Sequence, residues 1–415
     1  MKGRWTVLAF LCAIFVTYTV DRALLGLLAI PIQQETGLSN VRFGVLSSAI
    51  FWTYALAVPF AGLAGDRFDR AKLIGFAAVA WSLMTLLAGF ASGFWSLFLL
   101  VSFAIVVPQT VYSPTASALI ASLHAETRTV AMSCHQAAFY TGWFVSGAAV
   151  AGITALFGSW RAVFFVCGAV GLVVSLVFLL GTRKGVAKAA SGTAAASAQP
   201  VRKPTVRESL RAFFCCPSAL LAGTCYVVEV FVSCGYCAWG PKFVATKFDL
   251  SFAAAGKGVM FWHYAASFAA ILCAGFLTDA CVRRWPRFRL MLSLTAATVA
   301  IPALLLFGRS DSLPLVWTGA ALLGAMLGVI GANQFTNLFD VIPSAHRAGA
   351  IGFLNIAAGL IGSLAPILLG ALSERQGTRG FETGFSLFAA VELVAIAALG
   401  ASMLFTFRKD RLTES

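Results

Sequence analysis

Charged residues are scarce in this chain: Asp, Glu, Lys and Arg together make up 11% of its 415 residues. A soluble globular domain is about 25% charged. Hydrophobic residues account for 60% of the sequence, and the mean hydropathy is +0.87. This composition excludes an ordinary soluble enzyme, a disordered chain and a small disulfide-stabilised domain, and it indicates a protein that crosses a membrane several times.

Motifs of common enzyme classes are also absent. The sequence contains no Gly-x-Ser-x-Gly, no His-Glu-x-x-His and no phosphate-binding Gly-x-x-x-x-Gly-Lys-Ser/Thr motif. None of the cysteines falls in a loop predicted to be external, which argues against a disulfide framework. We therefore expect neither an enzyme nor a bound cofactor.

Twelve apolar segments reach the roughly 20 residues that a helix needs to cross hydrocarbon. Because lipid offers the backbone no hydrogen-bond partners, each must be a helix or part of a closed barrel. The apolar runs are continuous rather than alternating, so we predict an all-α membrane protein with twelve transmembrane helices. The predicted spans are residues 5–30, 42–64, 72–91, 94–120, 129–157, 160–181, 217–241, 252–278, 288–308, 313–339, 347–372 and 382–407.

The basic residues indicate the orientation. If both termini are cytoplasmic, 21 Lys and Arg residues lie on the cytoplasmic side and 8 on the external side, while Arg22 falls inside the first span. Cytoplasmic loops normally carry this excess. We therefore place both termini in the cytoplasm, and topology explains the net charge of +14 without a nucleic-acid partner.

The chain divides into two similar halves. We predict an N-terminal six-helix bundle over 1–181, a flexible cytoplasmic linker over 182–210 and a C-terminal six-helix bundle over 211–415. Three patterns recur in the same order in both halves, at offsets of 212 to 219 residues. They are Leu38-Ser39 before Gly44 and Leu250-Ser251 before Gly256; Gly62-x-x-x-Asp66 and Gly275-x-x-x-Asp279; and Arg128 with Gln136 and Arg347 with Asn355.

The loop after the second span reads Gly62-Leu-Ala-Gly-Asp66-Arg67-Phe-Asp-Arg70-Ala-Lys72. It resembles the Gly-x-Leu-x-Asp-Arg-x-Gly-Arg-Arg/Lys signature of the major facilitator superfamily, which implies a fold of two six-helix halves. An acid at a helix end that faces basic residues can latch neighbouring helices, although an ordinary positively charged cytoplasmic loop would look similar. The latch would consist of Asp66, Arg67 and Arg70, with Asp279 and Arg283 in the second half.

Within this superfamily the sequence resembles the anion–cation symporters, which carry organic acids. The resemblance covers most of the chain and is carried by three segments: Tyr18 to Arg22, Gly37 to Ala55, and Arg347 to Asn355. It implies alternating access and a small organic anion as the substrate. The chain departs from the family in the fourth span, where the usual Arg and Glu are Ser102 and Gln109. Proton symport by the usual route is therefore in doubt.

Arg22 is the main candidate for substrate binding. Charged side chains inside a membrane are costly and usually face a cavity or a partner. Arg22 lies about 12 Å from the external end of its span, and a guanidinium group can bind a carboxylate through two hydrogen bonds. The alternative is a structural ion pair with Asp21 or Glu229.

Asp21 and Glu229 are the candidates for proton coupling. Glu229 lies near the midplane of the seventh span, which corresponds by the repeat to the first span. It could replace the glutamate that the family usually has in the fourth span. The presence of Glu229 inside a span is explained equally well if it pairs with Arg22 or faces a cavity. We expect Glu392, in the last span, to be hydrogen-bonded or to lie at the lipid edge.

Other side chains could complete a binding site, which typically combines apolar walls with a few polar groups. Gln136 and Asn355 occupy matched positions in the two halves and could bind a substrate or bridge helices. Several tyrosines lie in spans that line the cavity in the superfamily. With Arg22, the predicted substrate-binding residues are Tyr18, Tyr54, Gln109, Tyr112, Gln136, Tyr140, Tyr236 and Asn355.

Two further pairs indicate an alternative cargo. Cys234 with Cys237, and Met260 with His263, are three residues apart and so share a helix face. Their sulfur and imidazole groups suit copper or zinc, although cysteine is also a common small residue in cores. A metal carrier is therefore an alternative, as are a drug exporter and a sensor that binds without transporting.

These observations together predict a secondary active transporter that moves a small organic anion, such as a carboxylate or sugar acid, across a bacterial inner membrane. Proton coupling, exchange and uniport all stay open. The expected partners are the small anionic substrate and the lipid bilayer. We expect a monomer.

Overall fold

A computed structural model describes residues 2–124, 126–182, 205–282 and 284–412. These residues form helices joined by short turns, and no strand occurs among them. Twelve helical stretches in this part of the chain are long and apolar enough to cross a membrane. The prediction of an all-α protein with twelve transmembrane helices is confirmed.

The spans of the first half lie close to their predicted positions. They are Lys2–Leu27, Asn40–Arg67, Arg70–Ala88, Phe94–Leu123, Arg128–Phe157 and Trp160–Thr182, which we call spans 1 to 6. A short helix, Ala29–Thr36, follows span 1.

The spans of the second half follow a short amphipathic helix, Val206–Phe214. Span 11 contains two helices, Arg347–Gly362 and Leu364–Gln376, and span 12 is π-helical over Ser402–Thr406. Spans 7 to 12 are Pro217–Phe248, Phe252–Val282, Phe288–Arg309, Leu313–Phe339, Ser344–Gln376 and Thr378–Asp410.

Residue contacts divide the chain into two units. The N-terminal unit is Met1–Pro200 with Leu250–Met260, and the C-terminal unit is Val201–Asp249 with Phe261–Ser415. Most of the predicted linker, 182–210, lies outside the described residues. The predicted bundle boundaries therefore stay a prediction.

Span 1 ends where a proline interrupts it. Pro31 has no backbone N–H, and its ring would clash with the carbonyl group four residues earlier, at Leu27. The helix accordingly ends at Leu27, and Leu28 leaves helical geometry with φ −102° and ψ 15° before a new helix begins at Ala29. Arg22 therefore lies in the last regular turns before this break.

Span 4 contains a π-helical segment, Phe98–Ala104. The backbone N–H of Ile105 donates to the carbonyl oxygen of Leu100, five residues earlier, at 2.9 Å. Pro108 cannot donate to Ala104, so the ordinary ladder is interrupted at this point and the preceding turn widens. Such wide turns often occur at functional sites, and Gln109 directly follows this proline.

Candidate functional site

Arg22 lies beside two tyrosine rings in the N-terminal unit. Its guanidinium carbon is 4.7 Å from the centre of the Tyr54 ring and 5.6 Å from the centre of the Tyr18 ring. Tyr18 is one helical turn before Arg22, so the two side chains share a face of span 1, whereas Tyr54 belongs to span 2. Arg22 and Tyr54 are partly exposed, and Tyr18 is buried. The structure thus brings together three of the predicted binding residues.

No carboxylate among the described residues neutralises Arg22. Its Nη1 atom is buried and has no hydrogen-bond partner there, and Arg22 takes part in none of the ion pairs found in that part of the chain. An unsatisfied buried polar group costs about 1–3 kcal/mol, and more when it is charged. A cation–π contact stabilises a cation by ~0.5–2 kcal/mol, which does not fully offset that cost. An anionic ligand would satisfy this guanidinium group.

Asp21 makes its contact with span 3 and not with Arg22. The hydroxyl group of Thr85 lies 3.2 Å from Asp21 Oδ2 and 3.0 Å from the carbonyl oxygen of Trp81, so its single proton is shared between two acceptors, while Asp21 Oδ1 is buried and finds no partner in the described residues. Neighbouring residues point about 100° apart around a helix, which explains why Asp21 and Arg22 form no ion pair. Sequence reasoning missed Thr85, since a threonine inside a span usually bonds only to its own helix, whereas Thr85 also reaches Asp21.

Tyr112 lies in the core of the N-terminal unit. It is 0% exposed, its hydroxyl group donates to the carbonyl oxygen of Leu11 at 2.5 Å, and it lies 3.0 Å from Nε2 of His135. Because a carbonyl oxygen can only accept, the single hydroxyl proton goes to Leu11, and His135 donates from Nε2. The ring packs against those of Phe15, Tyr18 and Trp81. This position supports helix packing by Tyr112 and does not support the predicted substrate contact.

Gln109 and Ser102, the two departures from the family pattern in span 4, have different surroundings. Gln109 is fully buried, yet neither its amide oxygen nor its amide nitrogen has a hydrogen-bond partner in the described part of the chain. Ser102 donates to the carbonyl oxygen of Leu46 at 3.0 Å and so joins span 4 to span 2. A buried amide without partners is destabilising, so Gln109 is a better candidate for a ligand contact than Tyr112.

The two predicted binding residues of span 5 differ in exposure. Gln136 is exposed, and Tyr140 is half-buried, with its ring centre 5.4 Å from that of Phe139. Substrate binding by either residue stays a prediction.

Glu229 and Glu392 belong to spans 7 and 12, which pack on each other in the C-terminal unit. Residues that flank them, Val228, Val391 and Ala395, belong to one apolar cluster. Glu392 is 1% exposed, and one carboxylate oxygen of each acid is buried without a partner among the described residues. The expected position of Glu392 at the lipid edge is wrong, because its side chain is buried where span 12 packs on span 7.

Asn355 joins two spans. Its Oδ1 atom accepts a hydrogen bond of 2.6 Å from the hydroxyl group of Tyr226, which lies one turn before Glu229 in span 7. This contact supports the helix-bridging interpretation of Asn355 and identifies Tyr226 as a residue that sequence reasoning missed. Tyr236 is fully buried and stacks on His263, with ring centres 4.5 Å apart. Substrate contacts by Asn355 and Tyr236 stay predictions.

The metal alternative gains no support from the described residues. Nowhere in the described residues do three His, Cys, Asp or Glu side chains form a group that could hold a metal ion. Cys237 Sγ lies 2.9 Å from the hydroxyl group of Tyr264, and His263 packs against Tyr236. Cys234 and Met260 are buried as well. These side chains fill the interior, as soft and small residues commonly do.

The predicted latch is only partly described. Arg283 and the side chains of Asp66 and Arg67 lie outside the described residues, whereas Arg70 and Asp279 are described and exposed. The latch therefore stays a prediction.

Asp69 stands where the superfamily signature usually has glycine. It caps span 3: its Oδ1 atom accepts the backbone N–H of Lys72 at 2.9 Å. Aspartate is a favoured residue at this position because it satisfies an N–H group left free at the helix start. The departure from the signature thus has a local structural reason.

Curated proteins similar to this chain include several anion transporters. A probable sulfoacetate transporter of Cupriavidus necator is 25% identical over 98% of this chain and 95% of its own length. Probable anion transporter 4 of Oryza sativa chloroplasts is 28% identical over 44% of this chain, and a probable galactarate/D-glucarate transporter of Escherichia coli is 27% identical over 38%. These two matches cover 30% and 36% of the relatives, so the chain spans about a third of their length.

The fold also matches solved structures at low identity. A bacterial homologue of the human lysosomal transporter Spinster, in an inward-facing and unoccupied conformation, has a TM-score of 0.82 and 20% identity over the whole of both chains. A D-xylose–proton symporter has a TM-score of 0.77 and 14% identity over 98% of this chain and 99% of its own. The family model of the Major Facilitator Superfamily matches residues 10–366. Together with the twelve spans, this match shows that the chain belongs to the major facilitator superfamily.

Proposed function

We propose that this protein is a secondary active transporter of a small organic anion, a carboxylate, sulfonate or sugar acid, and that Arg22 binds the anionic group. Its main support is the buried Nη1 atom of Arg22, which has no hydrogen-bond partner among the described residues. A guanidinium group forms strong paired hydrogen bonds with carboxylate-like oxygens. Transport occurs by alternating access, with the binding site open to one side of the membrane at a time.

The names of the relatives support an anionic substrate. The relative that matches over nearly the whole chain is named for sulfoacetate, and shorter matches are named for galactarate and D-glucarate and for ascorbate. These compounds are small and hydrophilic, and each is an anion at neutral pH. A single fixed cation beside aromatic rings suits such a ligand better than it suits a lipophilic drug.

Asp21 and Glu229 are proposed to carry the coupling proton. Each has one buried carboxylate oxygen without a hydrogen-bond partner in the part of the chain that is described. Both are inside membrane spans, where an acidic side chain is a typical site of proton exchange. This role would replace that of the glutamate which the family usually has in span 4 and which is Gln109 here.

Reconstituted proteoliposomes test the proposal. The protein should take up radiolabelled sulfoacetate, glucarate or another small carboxylate, and Arg22→Gln should lower uptake by about 10- to 100-fold, since hydrogen bonds to charged groups contribute ~1.5–3 kcal/mol. Arg42→Gln is the matched control, because Arg42 is exposed near the start of span 2. Normal anion uptake by Arg22→Gln would contradict the assignment, and ligand binding without any uptake would identify a sensor.

A further inference from the structure

The C-terminal unit contains a cavity of about 470 Å³ at the end of spans 8 and 12. Its lining comes from the turn before span 9, from the end of span 12 and from the residue directly after that span. The lining residues are Arg284, Trp285, Pro286, Arg287, Phe407, Arg408 and Arg411. By the predicted topology this end of the spans faces the cytoplasm. We call this cavity the arginine pocket.

The arginine pocket concentrates positive charge. Four of its lining residues are arginines, all of them exposed, and none of the described residues that line it is acidic. None of these arginines belongs to an ion pair found in the described residues. Four guanidinium groups around one cavity attract an anion that has several oxygen atoms. Their planar sets of N–H donors match the oxygens of a phosphate group.

Two acidic residues near the pocket in the described part of the chain, Asp410 and Asp340, have other partners. Asp410 Oδ2 accepts the backbone N–H of Ser218 at 2.9 Å, at the start of span 7. Asp340 binds Arg289 through both carboxylate oxygens, at 2.7 and 2.8 Å. Among the described residues, neither carboxylate therefore forms an ion pair with an arginine of the pocket.

The same contacts hold the chain that forms the pocket. Leu412 donates its backbone N–H to the carbonyl oxygen of Asp340 at 2.9 Å, and the hydroxyl groups of Thr406 and Ser218 are 2.7 Å apart. Phe407, between these anchors, is 3% exposed and forms an apolar floor. The positions of Arg408 and Arg411 therefore follow from contacts on both sides of them.

Trp285 indicates where the ligand comes from. Its side chain is 63% exposed at the end of a membrane span, beside the arginines. Tryptophan is enriched at the level of the lipid headgroups, and basic pockets on the cytoplasmic side of transmembrane helices bind anionic headgroups. We propose that the arginine pocket binds the phosphate group of an anionic phospholipid, with the acyl chains beside Trp285. This site is independent of Arg22 and of the proposed substrate.

Native mass spectrometry of the purified full chain in detergent tests this inference, with phosphatidylglycerol, phosphatidylcholine and glycerol 3-phosphate as probes. Phosphatidylglycerol should bind more tightly than both other probes. Arg408→Gln/Arg411→Gln should weaken its binding by about fivefold for each arginine removed, as ~1 kcal/mol per basic residue implies. The matched control is Arg375→Gln/Arg379→Gln, which removes two exposed arginines near the opposite end of spans 11 and 12.

The outcomes separate the possible sources of phosphate. Equal binding of phosphatidylcholine, or an unchanged phosphatidylglycerol affinity in the double variant, would overturn the proposal. Glycerol 3-phosphate that binds as tightly as the lipid would assign the pocket to a soluble phosphate compound and would also overturn it. Should the double variant fail to fold, Arg284→Gln/Arg287→Gln removes the same charge from the other wall, with the same expected loss.

Discussion

The guanidinium carbon of Arg22 lies 4.7 Å from the centre of the Tyr54 ring, so a cation of span 1 rests against an aromatic face of span 2. The contact orients the guanidinium group without using its hydrogen-bond donors. An aromatic ring can therefore hold the cation in place and still leave N–H groups for a ligand, which a carboxylate partner would not do.

We expect Tyr54→Ala to lower the apparent affinity for the transported anion by about 2- to 30-fold, since a cation–π contact contributes ~0.5–2 kcal/mol. Tyr54→Phe keeps the ring and should stay within about twofold of the wild type. Uptake measured against substrate concentration distinguishes the two. A large loss in Tyr54→Phe would show that the hydroxyl group, and not the ring, is what matters.

Tyr112→Phe should reduce stability more than transport. The substitution leaves the carbonyl oxygen of Leu11 and Nε2 of His135 without their partner, which costs about 1–3 kcal/mol. Thermal unfolding in detergent should show a lower midpoint, while uptake per folded molecule should be close to normal. A selective loss of substrate affinity at unchanged stability would restore the sequence-based prediction that Tyr112 binds substrate.

Glu229→Gln should abolish proton-driven accumulation while counterflow exchange of the substrate continues, because an amide cannot carry the coupling proton. Glu392→Gln makes the same change in the neighbouring span and shows whether the effect belongs to Glu229 alone. Accumulation driven by an imposed pH gradient, compared with exchange at zero gradient, gives the readout. Full accumulation by Glu229→Gln would exclude this glutamate from coupling.

Asp21→Asn preserves the shape of the side chain and the hydrogen bond from Thr85. If Asp21 carries a proton, the variant should exchange substrate but accumulate less of it, as in the preceding experiment. Thr85→Val removes the hydroxyl donor and leaves the carboxylate, so it should lower stability by about 1 kcal/mol and keep coupling. Identical behaviour of both variants would point to a structural role for Asp21.

The sequence was sufficient to predict the twelve spans, since hydrocarbon requires long apolar helices whatever their packing. It was also sufficient to single out Arg22, because a cation inside a span is rare. It could not separate Tyr54 from Tyr112. In a membrane helix both the lipid-facing and the buried sides are apolar, so the sequence pattern does not show which face a tyrosine occupies.

The burial of Glu392 was missed for a related reason. The sequence predicts a peripheral last span, whereas this span packs on span 7 and Glu392 is buried. The partners Thr85 and Tyr226 were equally invisible in the sequence, since each hydrogen bond joins residues more than 60 positions apart. Such pairs depend on how the helices pack on one another.

The wide turn at Phe98–Ala104 changes how span 4 should be aligned with other carriers. In a regular α-helix, residues seven positions apart lie on nearly the same side of the helix. This relation does not hold between Ser102 and Gln109, because Ser102 lies in a wide turn that contains one additional residue. When this chain is aligned with a carrier whose fourth helix is regular throughout, the sequence of that carrier therefore needs a gap of one position before the residue that matches Gln109. With that gap, Gln109 keeps its counterpart, and the counterpart of Ser102 moves by one place.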